Sequence, residues 1–229
     1  MIVMVVRMIP TGWSRIGDDI KRKFGKEPWY GDVHAYLIQR YNSIENRMIE
    51  TFRYVACHPD NRNTFSYEYA SMLRDAGSVF GSVMDRLVRE TSPDSGLLDI
   101  RDYTRWLRQL DIEFSRGKFA KIHFIAADIN YPLKKRALFP YLPLKDEDGR
   151  LEWWNAYNDV KHSDIDKFHV GNFENSLNSV AALAILLALF GEEESYSIRL
   201  FYQIGFYLFN RPPTPEWEEY QLSLLFFKT

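Results

Sequence analysis

Apolar residues recur along the first half of the chain with the spacing of helices. In one stretch they lie three or four residues apart, at Leu37, Tyr41, Ile44, Met48, Phe52 and Val55. In the next they form a wider face, at Tyr69, Met72, Leu73, Ala76, Val79, Phe80, Val83, Met84 and Leu87. Such spacing places the apolar side chains on one side of an α-helix. The pattern predicts helices over 33–56 and 66–91, with Asp32 and Ser66 as their N-caps.

The second half of the chain carries two more long helical patterns. Helices are predicted over 151–162 and over 172–190, the latter introduced by Gly171 and Asn172. Small residues at Ser176, Ser179 and neighbouring alanines would let another helix approach the last one closely. A shorter helix is predicted over 100–110. These helices are expected to pack through buried side chains at Leu37, Ile44, Met48, Val79, Val83, Val180 and Leu187.

Proline positions limit helix elsewhere. Pro132, Pro140 and Pro143 make helix improbable over 130–149, where we expect an excursion with a small hairpin after a short strand at 119–126. The stretch 197–209 fits either helix or strand. The predicted organisation is an irregular segment at 1–32, a bundle domain at 33–209 with its excursion at 117–150, and a tail at 210–229. The fold class is therefore mainly α, an antiparallel bundle of about four long helices with a small β or irregular excursion.

Composition narrows the function classes. The chain has 229 residues, a formal net charge of −2 and one cysteine. The charge gives no global positive field for nucleic acid, and one thiol excludes a disulfide framework. The longest apolar run, 180–190, is about half of what a bilayer span needs, and no signal peptide is recognisable, so we expect a cytoplasmic protein without a membrane partner. No glycine-rich phosphate loop follows a strand, and we predict no cofactor.

The densest group of candidate chemical residues lies on the predicted helix 151–162. Asn158, Lys161 and His162 are three and four positions apart, so they share a side of that helix. Lysine supplies charge, asparagine an amide donor and histidine a proton acceptor near neutral pH, which together could hold and process a phosphate. The alternative is structural: Asn158 and His162 would satisfy buried polar groups where the helix leaves the bundle. We favour the structural interpretation.

The motif Trp153-Trp154-Asn155-Ala156-Tyr157-Asn158-Asp159-Val160-Lys161-His162, followed by the helix that begins at Gly171-Asn172, resembles a signature of HEPN-like bacterial helical-bundle proteins. The segment 59–87, with Phe65-Ser66-Tyr67-Glu68 at the start of its helix, is also similar to that group. The resemblance covers about residues 45–190. It implies an all-α bundle that is often dimeric and is associated with RNA cleavage, toxin–antitoxin pairs or phage defence.

Active HEPN ribonucleases carry an arginine followed, after four to six residues, by the catalytic histidine. Ahead of His162 the matching positions hold Asn155, Ala156 and Tyr157, so the arginine is absent. Asn158 with Lys161 could substitute, although lysine lacks the planar two-pronged donor of arginine. The pairs Arg53 with His58 and Arg116 with His123 also fit the spacing, and both rank below the Lys161–His162 group.

A second candidate surface is a basic stripe on the short helix. Arg101, Arg105 and Arg108 lie at i, i+4 and i+7, beside Trp106, and could bind phosphate. Acidic neighbours dilute the stripe, so a solvated face with local ion pairs is the competing interpretation. His162, Asp164, Asp166 and His169 offer metal-ligand atoms, but no helical pair of histidines fixes them, and we assign no metal.

Two functions follow from these observations. The first is a helical interaction module, a dimeric HEPN-like protein without the ribonuclease arginine, which acts through dimerisation or a partner protein. The alternative is an enzyme of the HEPN type that cleaves RNA or binds a nucleotide through Lys161 and His162. We favour the module, with a homodimer interface at the aromatic stretch 201–209.

Overall fold

A computed structural model describes residues 32–91, 96–110, 123–128, 131–146, 149–162, 164–190 and 207–209. These residues form a mainly α fold, as predicted. Four long helices make the bundle: α1 (Asp32–Thr51), α2 (Tyr67–Thr91), α4 (Glu152–His162) and α6 (Phe173–Phe190). Helix α3 (Ile100–Leu110) has the bounds predicted for it, and α5 (Asp164–Lys167) is one turn long. No helix among the described residues is both long enough and apolar enough to span a membrane.

The N-cap predicted at Ser66 is confirmed, whereas Asp32 is itself the first residue of α1. The Ser66 hydroxyl accepts a hydrogen bond from the backbone N–H of Tyr69 at 3.1 Å, and the Asn172 side chain accepts one from Asn175 at 2.9 Å. The predicted end of α1 at residue 56 is wrong, because the helix ends at Thr51. After Thr51 the N–H groups of Phe52 and Arg53 bond to carbonyls three residues back, which tightens the last turn.

Helices α2 and α6 form the centre of the bundle and run parallel. Just before both helices, Phe65 and Asn172 pair as an isolated antiparallel bridge. The Ser176 hydroxyl then donates to the Tyr69 carbonyl at 2.7 Å. A side chain at Gly171 would lie 2.5 Å from the Ala70 methyl group, so the close approach predicted from small residues is confirmed.

Helices α1 and α4 flank this pair on two sides. Helix α1 is tied to α2 by Arg47, which donates to Glu68 at 2.6 Å, to Asp75 at 2.6 Å and to the Ser71 hydroxyl at 2.8 Å. Helix α4 runs antiparallel to α2, with Trp154 opposite Gly81 and Tyr157 opposite Gly77. The four helices therefore share one end, where α1 and α4 finish and α2 and α6 begin. We call it the loop end.

The core is built from the predicted stripes. All seven side chains expected to be buried are buried: Leu37, Ile44, Met48, Val79, Val83, Val180 and Leu187. Helix α6 is buried on nearly every side, because it contacts α1, α2 and α4. The core also encloses the carboxyl group of Glu45, to which the Tyr41 hydroxyl donates at 3.2 Å. Burial raises the pKa of Glu45 to about 8 although this hydrogen bond lowers it.

The excursion contains a hairpin, but it does not lie wholly within 130–149 as predicted, because its first strand overlaps the strand predicted at 119–126. Strand β1 (His123–Asp128) pairs antiparallel with β2 (Tyr131–Leu138) and, on its other side, with β3 (Tyr207–Phe209). Of the two alternatives left open for 197–209, the described end, Tyr207–Phe209, is a strand. Past the hairpin, the Tyr141 hydroxyl donates to the Ala182 carbonyl at 2.8 Å, and the Trp153 indole donates to Pro140 at 3.1 Å. These bonds fasten the excursion to α6 and α4.

Candidate interaction site at the loop end of the bundle

The α4 motif divides into a buried aromatic face and an exposed end. Trp153, Trp154 and Tyr157 are buried, and both tryptophan rings pack against Phe80, with centroids 5.0 Å and 5.3 Å away. The aromatic half of the motif therefore builds the core. Only its polar half, at the C-terminal end of α4, is left for contact with other molecules.

The three candidate residues of that polar half lie at the loop end. Asn158 is half-buried, whereas Lys161 and His162 are exposed. The Lys161 ammonium lies 5.6 Å from the centre of the Tyr157 ring. It sits in the last turn of α4, where the helix dipole favours positive charge. The expectation that His162 is buried against polar groups of the bundle is wrong, because α4 ends at this residue and His162 is exposed.

The positions that would hold a ribonuclease arginine are also defined. Asn155 is exposed, but Ala156 and Tyr157 are buried in the core. An arginine at either buried position would bring an unpaired charge into the bundle. Of these three positions, only position 155 could therefore present an arginine side chain to solvent.

The basic stripe of α3 is partly engaged within the chain. Arg105 pairs with Asp102 at 3.0 Å, and Arg101 is exposed. Arg108 donates to the carbonyl oxygens of Leu144, Asp146 and Gly149 at 3.2, 2.7 and 3.3 Å. Arg108 thus holds the turn that follows the hairpin, and Arg101 and Arg105 are the members of the stripe that face solvent.

Of the other pairs with ribonuclease spacing, Arg53 and His58 lie at the loop end. The His58 ring accepts a hydrogen bond from the Asp60 N–H at 3.3 Å and caps the turn Pro59–Asn61, which gives it a structural role. Arg116 lies outside the described residues. So do the segments 1–31 and 210–229, and the side chains of 201–209 that were expected to form the dimer interface.

An exposed aromatic group at the loop end was missed by sequence reasoning. Phe65 and Tyr67 flank the N-cap of α2 and are 50% and 79% exposed. Phe168, in the turn before α6, contacts both, edge-on to Phe65 at 5.3 Å and stacked on Tyr67 at 5.6 Å. We call Phe65, Tyr67 and Phe168 the aromatic patch. The available signal was that Tyr67 lies outside the apolar stripe that begins at Tyr69.

Within the described part of the chain, no three metal-ligating side chains come together. Comparisons with protein-family models, with curated proteins and with solved structures find no match to this chain.

Proposed function

We propose that this protein is a non-catalytic helical interaction module, an HEPN-like homodimer that acts through contacts with protein. The observation that carries the proposal is the aromatic patch. Phe168 packs against both Phe65 and Tyr67, of which Tyr67 is 79% exposed, and the three rings form an apolar surface of the kind that marks an interface in a globular protein. Tyrosine and phenylalanine are also enriched at the cores of protein interfaces.

The surroundings of Lys161 and His162 support a module over an enzyme. Phosphate cleavage needs a charged clamp and a proton-transfer group held in fixed geometry. Lys161 and His162 are both exposed at a helix end, and two of the three arginine positions are occupied by core residues. Neither side chain has a hydrogen bond to Asn158 among the described contacts, so nothing there fixes a catalytic arrangement.

The test combines mass measurement and an RNA assay. Light scattering is expected to give twice the chain mass of 27.1 kDa, and purified protein is expected to leave a mixed RNA substrate intact. A species of 27.1 kDa at all concentrations, or cleavage that requires His162, would contradict the proposal.

The second candidate is an enzyme that cleaves RNA or binds a nucleotide through Lys161 and His162. Its support is the exposure of these adjacent side chains at the same end of the bundle. For this candidate, His162→Ala would abolish RNA cleavage or nucleotide binding. The control is His169→Ala, since His169 is another exposed histidine of the loop end.

A further inference from the structure

The carboxyl group of Glu45 is buried where α1 packs on the bundle. Glu45 is 3% exposed, and its hydrogen bond comes from the Tyr41 hydroxyl, one turn earlier, at 3.2 Å. Asn42 lies beside Tyr41 on α1, and its Oδ1 atom is buried without a hydrogen-bond partner among the described residues. A buried carboxyl group with one neutral donor is stable as the uncharged acid, whereas a carboxylate there would be an unpaired charge in the core.

We propose that Glu45 is a pH-sensitive switch for the docking of α1. While Glu45 is protonated, the half of α1 before Arg47 stays packed on the bundle, and loss of the proton releases that half into water. The pKa of Glu45, which burial raises from 4.5 to about 8, puts this release at mildly alkaline pH. Release also lets water satisfy the buried oxygen of Asn42.

Within the described part of the chain, no cation contacts the Glu45 carboxyl group. The titratable groups of α2 and α6 that lie against α1, or at the loop end where it finishes, are Glu68, Tyr69, Asp75 and Glu174. None of these groups becomes positively charged. Arg47 on α1 pairs with Glu68 and Asp75, each at 2.6 Å. A Glu45 carboxylate would therefore gain its stabilisation from water, which it reaches when α1 moves.

The half of α1 before Arg47 can leave the bundle without unfolding the rest. It is held by the burial of Leu37, Tyr41 and Ile44, whereas the described ion pairs from α1 to α2 come from Arg47, nearer the loop end. Helices α2, α4 and α6 contact one another as well, so they keep a shared core when part of α1 is away. Local opening of this kind costs less free energy than global unfolding.

The experiment measures hydrogen exchange of the full-length protein at about pH 6 and about pH 9. Protection factors, corrected for the intrinsic exchange rate at each pH, are compared between the half of α1 before Arg47 and α6. Protection of α1 is expected to fall about tenfold to a hundredfold between the two pH values, as linkage to one proton requires, and to stay below that of α6. Glu45→Gln is expected to remove the fall. Glu50→Gln, which changes an exposed residue of the same helix, is expected to keep it.

Tyr41→Phe provides a second test if Glu45→Gln does not fold. It removes the hydroxyl that lowers the pKa of Glu45, so the fall in protection is expected to begin at a higher pH, and an unchanged pH dependence would overturn the switch. Equal protection of α1 at both pH values, or a fall that persists in Glu45→Gln, would also overturn it. So would equal protection of α1 and α6, because Glu45 would then act only on the unfolding of the whole bundle.

Discussion

The ring of Tyr157 on α4 covers the α-carbon of Gly77 on α2. A methyl group added at Gly77 would overlap three ring carbons of Tyr157, which is itself buried between Trp154 and the cation of Lys161. Helices α2 and α4 therefore approach each other as closely as they do because residue 77 has no side chain.

Overpacking a core costs about 1–3 kcal/mol, and the overlap of the new methyl group with three ring carbons puts Gly77→Ala towards the upper end of that range. Alanine's better helix propensity offsets about 1 kcal/mol of the cost, so Gly77→Ala is expected to lower the free energy of unfolding by about 1–2 kcal/mol. Urea denaturation gives the difference. The control is Gly81→Ala, where the new methyl group would lie 3.3 Å from one carbon of Trp154, at the far end of its ring. Equal stability of wild type and Gly77→Ala would show that α4 is free to move away.

Glu45 predicts a stability that depends on pH. Its pKa is raised from 4.5 to about 8, so the folded state retains a proton that the unfolded state releases. The contribution of Glu45 to the free energy of unfolding is therefore greatest below about pH 4.5. It falls by about 1.4 kcal/mol per pH unit as the pH rises towards 8, and it levels off above that pH. Glu45→Gln keeps an acceptor for the Tyr41 hydroxyl and carries no charge.

We expect Glu45→Gln to match wild type at about pH 4.5 and to be more stable by several kcal/mol, on the order given by the pKa shift, at about pH 9. Urea titrations at the two pH values measure the difference. Glu50→Gln is the control, because Glu50 lies on the same helix but is exposed. If both variants followed wild type at each pH, Glu45 would titrate normally.

The Arg47 network is expected to need a guanidinium group. Arg47 contacts Glu68, Ser71 and Asp75 with three different nitrogen atoms, which a lysine cannot reproduce. Because these groups are partly exposed, we expect Arg47→Lys to lower the free energy of unfolding by about 1 kcal/mol.

A double-mutant cycle with Asp75→Asn measures the coupling between the two helices. Arg105→Lys is the matched control, because Arg105 pairs with Asp102 on the exposed side of α3, and its loss is expected to change nothing measurable. Additive effects of Arg47→Lys and Asp75→Asn would show that this ion pair does not hold α1 to α2.

His162→Ala is expected to leave stability within about 0.5 kcal/mol of wild type, since the ring is exposed at the end of α4. Thermal melts check this expectation. Ser176→Ala provides the contrast: it removes a buried hydrogen bond and should cost about 1 kcal/mol. A large loss of stability in His162→Ala would restore the structural role first expected of this histidine.

Sequence periodicity predicted the helices well because burial on one side of each helix repeats every three to four residues. It did not predict that α2 and α6 run parallel, since small residues such as Ser176 allow another helix to approach closely but do not indicate which helix it is. Glu45 was also missed. Helix α1 packs against both α2 and α6, so its buried arc is wider than the single stripe through Ile44 and Met48.

The candidate site was harder to predict than the fold. Lys161 and His162 stood out by residue type, but their exposure depends on where α4 ends. The aromatic patch combines Phe65 and Tyr67 with Phe168, about a hundred positions away, and only the folded chain brings these rings together. Local pattern cannot reveal a surface whose members come from two distant turns.

The parallel seam between α2 and α6 sets an order for folding during synthesis. Tyr69 and Ser176, which it joins, are 107 positions apart, and closing so long a loop is slow and entropically costly. While the ribosome makes the intervening segment, α1 can pack on α2, but the part of α2 that contacts α4 and α6 stays uncovered. Nascent chains halted before Phe173 should therefore be cut readily by protease and bind chaperones, whereas chains that have released Phe190 should become resistant.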